Sequence, residues 1–223
     1  MLAGNRRADA VRNRRALIDA ARVVFGERGL EASLDEIART AGVGNATLYR
    51  HFPSRCALVA AVFADTLEQV TAAAQRALAN RDAWEGFSEY VIFLCQLQAA
   101  DRGLADLLTT AISGAPELEE LRGRAYADFR RVVERAKRPA GLRADFKPED
   151  LVLLLMANAG LVHRTADVAP TAWRRLLGYI LDGLRETAAT PVSPAPGEDA
   201  VLQAMRNQAG LFESREGSAT RLA

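Results

Sequence analysis

Between Ser33 and Arg55 the chain reads SLDEIARTAGVGNATLYRHFPSR, and few folds accommodate such a stretch. Leu34, Ile37, Ala38 and Ala41 recur at helical spacing, Gly42 breaks the run, and Ala46 to His51 begins a second helix. Two short helices around a tight turn make a helix-turn-helix. Ser33 with Glu36 three residues later predicts a capping box, each side chain satisfying an orphan backbone N–H of the opening turn. Gly42 and Gly44 flank Val43, and a glycine after a helical run lets the chain turn through a left-handed conformation. Val43 and Leu48 are expected to plug the angle between the helices.

The second helix opens on small polar residues, as a helix entering a major groove by its N-terminal end requires. Asn45, Ala46 and Thr47, with Gly44 beside them, are expected to meet base edges. Ser33, Thr40, Tyr49, His51 and Arg55 are expected to hold phosphates, and Arg50 suits either task. Residues 1–60 carry ten arginines and no lysine against six acids, a balance of +4 that leaves −3 for the remainder. Arginine is the cation whose planar fork suits phosphates and guanine edges. Five of the ten fall between residues 6 and 15, and Arg6 and Arg7 could form a flexible arm along a phosphate backbone or simply a loose end.

This segment resembles the TetR family of bacterial transcriptional regulators. The resemblance rests on Leu34, Ile37, Ala38, Ala41, Gly42, Val43, Thr47, Leu48, Tyr49, His51, Phe52 and Pro53, supported by Ala20, Phe25, Gly29 and Leu58. It is dense over roughly residues 12–60 and fades beyond, and TLYRHF before Pro53 and Arg55 is its most specific part. Cys56 stands where an acid is common, and Asn45 where a serine or larger polar residue is frequent. The resemblance implies a repressor that responds to a small molecule and dimerises through its last two helices.

The remainder reads as helix throughout, so the fold class expected is all-α. Residues 1–53 form the head, with an amphipathic helix from about Asp9 to Arg28 ahead of the helix-turn-helix; residues 54–188 form a helical body. A helix from about Ser54 to Ala79 joins them. Further helices are marked by Trp84 to Leu94, by Leu104 to Ile112, and by the run from Pro116 towards Pro139. Another starts at Pro148 and is apolar on all sides over Leu151 to Met156, so it needs its own core on one side and something else on the other. With the helix from about Pro170 to Thr187 it is expected to build a four-helix dimer interface, through Leu151, Val152, Leu155, Trp173, Leu177, Ile180 and Leu184. Residues 189–223 begin with TPVSPAPGED across the boundary, too rich in proline for a packed helix, and are expected to be a flexible tail apart from a short helix around Val201 to Leu211.

Two histidines and two cysteines bound the chemistry. No HExxH, GxSxG, CxxC or phosphate-loop spacing occurs, so no catalytic residue, metal or cofactor is expected. Cys56 and Cys95 read as buried small hydrophobes. Trp84, Phe87, Phe93, Gln96, Tyr126, Phe129, Met156, Asn158 and His163 are the candidates for a pocket; each alone fits core packing. Together the polar ones need partners that a cavity around a largely apolar ligand would supply. The longest apolar run is far short of the roughly 20 residues of a membrane span, and the N-terminus lacks an apolar signal region. The expected protein is a cytoplasmic, homodimeric regulator that binds double-stranded DNA and a small-molecule effector, with no membrane partner and no enzymatic activity. The competing reading is a protein-interaction module that keeps its helix-turn-helix for packing alone.

Overall fold

The computed structural model describes residues 2–111 and 116–207, with side chains from Ala8 onward. The helical position expected for Ile112 and the tail helix's expected end at Leu211 lie outside these. Nine helices follow one another: α1 Leu2–Arg28, α2 Leu34–Thr40, α3 Asn45–His51, α4 Arg55–Ala79, α5 Ala83–Ala100, α6 Arg102–Thr109, α7 Pro116–Ala136, α8 Pro148–Thr165 and α9 Ala172–Leu184. A 3-10 turn, Glu186–Ala188, follows, and residues 198–207 form a further helix, α10. Among the described residues there is no strand, only an isolated bridge between Leu142 and Arg185.

The head's turns follow from local chemistry. Ser33 Oγ accepts the Asp35 N–H at 3.2 Å, but the capping box does not form, because Glu36 reaches across to Arg28 at 2.8 Å. At the other end of α2, Gly42 adopts φ 70°, its N–H meets the Arg39 carbonyl and the Val43 N–H meets that of Ala38. These two bonds satisfy carbonyls the helix leaves open and fix where α3 starts. Gly29, at φ 81°, ends α1 in the same left-handed region. α1 itself begins at Leu2 rather than near Asp9, so the backbone carrying Arg6 and Arg7 is helical and not a loose arm.

Two apolar cores share one helix. The first gathers Leu17, Phe25, Ile37, Leu48 and Phe52 from the head with Leu58, Phe63 and Leu67 of α4. Phe25 and Phe63 stack with ring centroids 6.4 Å apart. The second gathers Val70, Ala74 and Ala77 of the same helix with Phe87, Val91, Leu94, Phe129, Val133, Leu151 and Trp173 of the body. α4 is long and apolar enough, by composition, to cross a membrane, but its apolar face is spent on these two cores. α6 ties the head down from the other side: Asp106 Oδ2 accepts the Leu30 N–H at 2.9 Å, and Leu104 of α6 lies in the first core.

The tail departs from expectation. After residues 189–197, α10 packs back on the body, with Val201 and Met205 4% and 7% exposed and the Met205 carbonyl accepting the Ala111 N–H at 3.2 Å. The prolines stop helix formation in the linker, not beyond it.

Candidate DNA-reading surface and ligand cavity

α3 stands out from the head with Leu48 buried beneath it and its polar residues outward. Ser33, Thr40, Gly44, Asn45, Ala46, Tyr49 and Arg50 are exposed, and Thr47 is half-buried. Tyr49 is 51% exposed, which leaves its phenol free to meet a phosphate. Asn45 is tied within the protein: its Nδ2 donates to Asp35 Oδ1 at 2.7 Å, so a base contact through that amine would first break this bond. The exposed Arg39, near the end of α2, joins the cationic surface and was not singled out from the sequence.

Two of the expected phosphate contacts are engaged elsewhere. Arg55 Nη1 donates to the carbonyls of Leu30 and Ala32 at 2.8 and 2.6 Å, clamping the turn between α1 and α2. His51 is turned inward: its Nε2 is buried without a partner among the described residues. Burial, then the neighbouring Arg50 and Arg14, hold its imidazole below the ordinary 6.5, so it is neutral at pH 7 and a weak partner for an anion. Its place is behind α3, in a hollow it shares with Arg14, Phe52 and Ala57.

The body is not fully packed. A cavity of about 290 Å³ lies among α4, α5, α7 and α8, walled mainly by carbon. Leu67 and Val70 face it from α4, Tyr90 and Leu94 from α5, and Tyr126 and Phe129 from α7. Leu151, Val152 and Leu155 close it from α8, and Val201, Leu202 and Met205 from α10. Polar atoms sit at few points. Arg122 Nη1 donates to the Thr110 carbonyl at 2.6 Å, and burial lowers its pKa to about 10. Tyr126 Oη donates to Glu149 Oε1 at 3.3 Å; burial, Glu149 and Glu198 push its pKa up to about 12. Such a space suits a compact apolar molecule carrying at most a few polar atoms.

Of the expected pocket residues, only Tyr126 and Phe129 line this cavity. Trp84 and Phe87 are core, ring against ring at 5.8 Å, and Phe93 packs half-buried against the same cluster. Gln96 is exposed; the buried glutamine is Gln98, whose Oε1 accepts from Asn158 Nδ2 at 2.9 Å. Asn158 is thus satisfied inside the protein. Met156 and His163 border a separate polar cleft beside Asp101 and Asp106.

The expected dimer residues are also redistributed. Leu151, Leu155, Trp173 and Leu177 are buried in the protomer's own core, Ile180 and Leu184 pack against it half-buried, and Val152 faces the cavity. The apolar face that α8 and α9 leave open consists of Leu153, Ala157 and Gly160 with Leu176, Tyr179 and Gly183, Tyr179 being 61% exposed.

Residues 17–62 match the bacterial regulatory proteins of the tetR family, and residues 82–186 match the C-terminal domain of SbtR-like transcriptional regulators. No curated protein matches the chain. Among solved structures, a TetR transcriptional regulator from Streptomyces coelicolor is 32% identical, over 78% of this chain and 99% of its own, with a TM-score of 0.50. The fold is also that of the fatty acid degradation regulator FadR from Bacillus halodurans, 20% identical over 76% of this chain and 98% of its own, TM-score 0.53. Bacillus subtilis FadR, solved in complex with stearoyl-CoA, is 18% identical over 78% and 98% of the two chains, TM-score 0.52. With a helix-turn-helix head, an all-helical body and these two matches end to end, the chain belongs to the TetR family of DNA-binding bacterial transcriptional regulators.

Proposed function

We propose that this chain is a ligand-responsive repressor that binds a palindromic operator as a homodimer in the cytoplasm and is modulated by a small, largely apolar effector. One observation carries the reading. α4 belongs to both working parts: Leu58 and Phe63 are built into the head's core, while Leu67 and Val70, one turn further on, face the cavity. A molecule that fits the cavity only when α4 is displaced therefore has different affinities for two head positions, which is what coupling between the sites requires. The open face of α8 and α9, with small residues between Leu153, Leu176 and Tyr179, supports close packing against a second copy. Two heads roughly 34–36 Å apart would then read successive major grooves.

The test is a titration of the protein against the duplex upstream of its own gene and a scrambled control, at several salt concentrations. The expected result is a preference of about a thousandfold or more, two protomers per site, and a steep salt slope. Equal, weak binding to these and to duplexes selected from random DNA would leave the helix-turn-helix a packing element of an interaction module.

A further inference from the structure

The cavity's outer wall does not come from the part of the chain that its relatives share. The family matches end at residue 186, and the Streptomyces coelicolor regulator is matched over 99% of its own length by 78% of this chain. α10, residues 198–207, begins eleven residues past that boundary, yet it lines the cavity with Val201, Leu202 and Met205. These three share one helical face. The opposite side, Gln203, Ala204, Arg206 and Asn207, is exposed.

What holds α10 in place is slight. A helix of ten residues is marginal by itself in water, so its order depends on what it lies against. Two side chains are buried, Val201 and Met205, and one backbone bond, Ala111 N–H to the Met205 carbonyl, joins it to the end of α6. The linker is anchored at its start by Arg143 Nη2, which donates to the Thr190 carbonyl at 2.6 Å. Beyond that anchor it carries Pro191, Pro194 and Pro196, which stiffen it as a strap. A fixed hinge, a stiff strap and a weakly held end describe an element that lifts as a unit.

We propose that α10 is a lid on the effector cavity, added by this chain to its family's body: it lifts to admit an apolar molecule and, when closed, places Val201, Leu202 and Met205 against it. The proposal rests on the reading that the cavity is the effector site. Residence of the bound molecule is then limited by lid opening, and both entry and exit are slower than in a chain without α10.

The experiment follows uptake and release of N-phenyl-1-naphthylamine, an apolar fluorophore, by stopped flow. Three proteins are compared: the full chain, a chain ending at Ala188, and an Ala111→Cys/Met205→Cys variant that ties the lid shut when oxidised. A Val70→Trp variant, which fills the cavity from α4, identifies the signal as cavity binding by abolishing it. Ending the chain at Ala188 should raise both rate constants at least tenfold, release more than uptake. Oxidation of the double-cysteine variant should slow uptake at least tenfold, with recovery on reduction. Rates that are the same in the full chain and in both states of the double-cysteine variant overturn the lid and leave the cavity reading standing, even if the shortened chain fails to fold. No Val70-dependent signal in any protein overturns the cavity reading, and the lid with it.

Discussion

The two cores use the same kinds of side chain and end differently. The head's core is closed around Leu17, Phe25, Ile37 and Leu48, all essentially without solvent contact, and three helices joined by tight turns leave no slack. The body's core spreads over longer helices that diverge from α4, and about 290 Å³ between them is filled by no side chain. A core that must hold one geometry against DNA benefits from close packing. A core that must accept a guest cannot be packed to that density. The difference lies in where helices meet, not in how apolar they are.

Four measurements press on this contrast. Phe25→Ala should be the most damaging, at about 3–5 kcal/mol in denaturant unfolding, because the closed head cannot collapse around the space left. A loss below about 2 kcal/mol would show the head to be as tolerant as the body. Next, Arg55→Ala should weaken DNA binding by loosening the turn at Leu30 and Ala32 while leaving the slope of log K against log salt unchanged. Arg50→Ala should instead lower that slope by about one, as loss of a phosphate contact does. Equal slopes for the two variants would return Arg55 to the phosphate surface.

In the body, Leu155→Phe should change stability by less than about 1 kcal/mol, since the added ring enters existing space, yet suppress binding of an apolar probe. A cost of 3 kcal/mol or more would mean the cavity is not there to be filled. The smallest effect concerns Asp106, at the seam between the two regions. Burial, outweighing the Leu30 hydrogen bond and Arg102, raises its pKa above the ordinary 3.8. A raised carboxyl binds its proton more tightly in the folded state than in the unfolded one. Its contribution is therefore most favourable below the unfolded pKa and is lost as pH rises through the folded one. Asp106→Asn, which keeps an acceptor for the Leu30 N–H, should gain on the parent over that window; a constant difference in unfolding free energy would place the carboxylate in open water.

The head was legible because its signals are local. Ser33, Gly42 and the Leu34–Ile37–Ala38 stripe each act within a few residues, and the structure returns them as cap, turn and core. Arg55 was misread for the converse reason: a basic residue after a proline looks like a phosphate contact, and its carbonyl partners lie 23 and 25 residues away. Leu151 and Leu155 sit on a helix apolar all round, where periodicity cannot say which side meets the protein's own interior. Gln96 and Gln98 lie two residues apart, and only tertiary packing decides which of them turns inward. In the tail, Val201 and Met205 carried a one-turn apolar spacing that the prolines before it obscured.

The shared helix sets a scale for regulation. Twenty-five residues at about 1.5 Å each make α4 a rod of roughly 37 Å. Pivoted at one end, such a rod needs a tilt of only about 5° to carry the other end about 3 Å, close to the 3.4 Å rise of one base pair. A guest that shifts Leu67 and Val70 by a fraction of a side chain's width can therefore put the head a full step out of register with its groove.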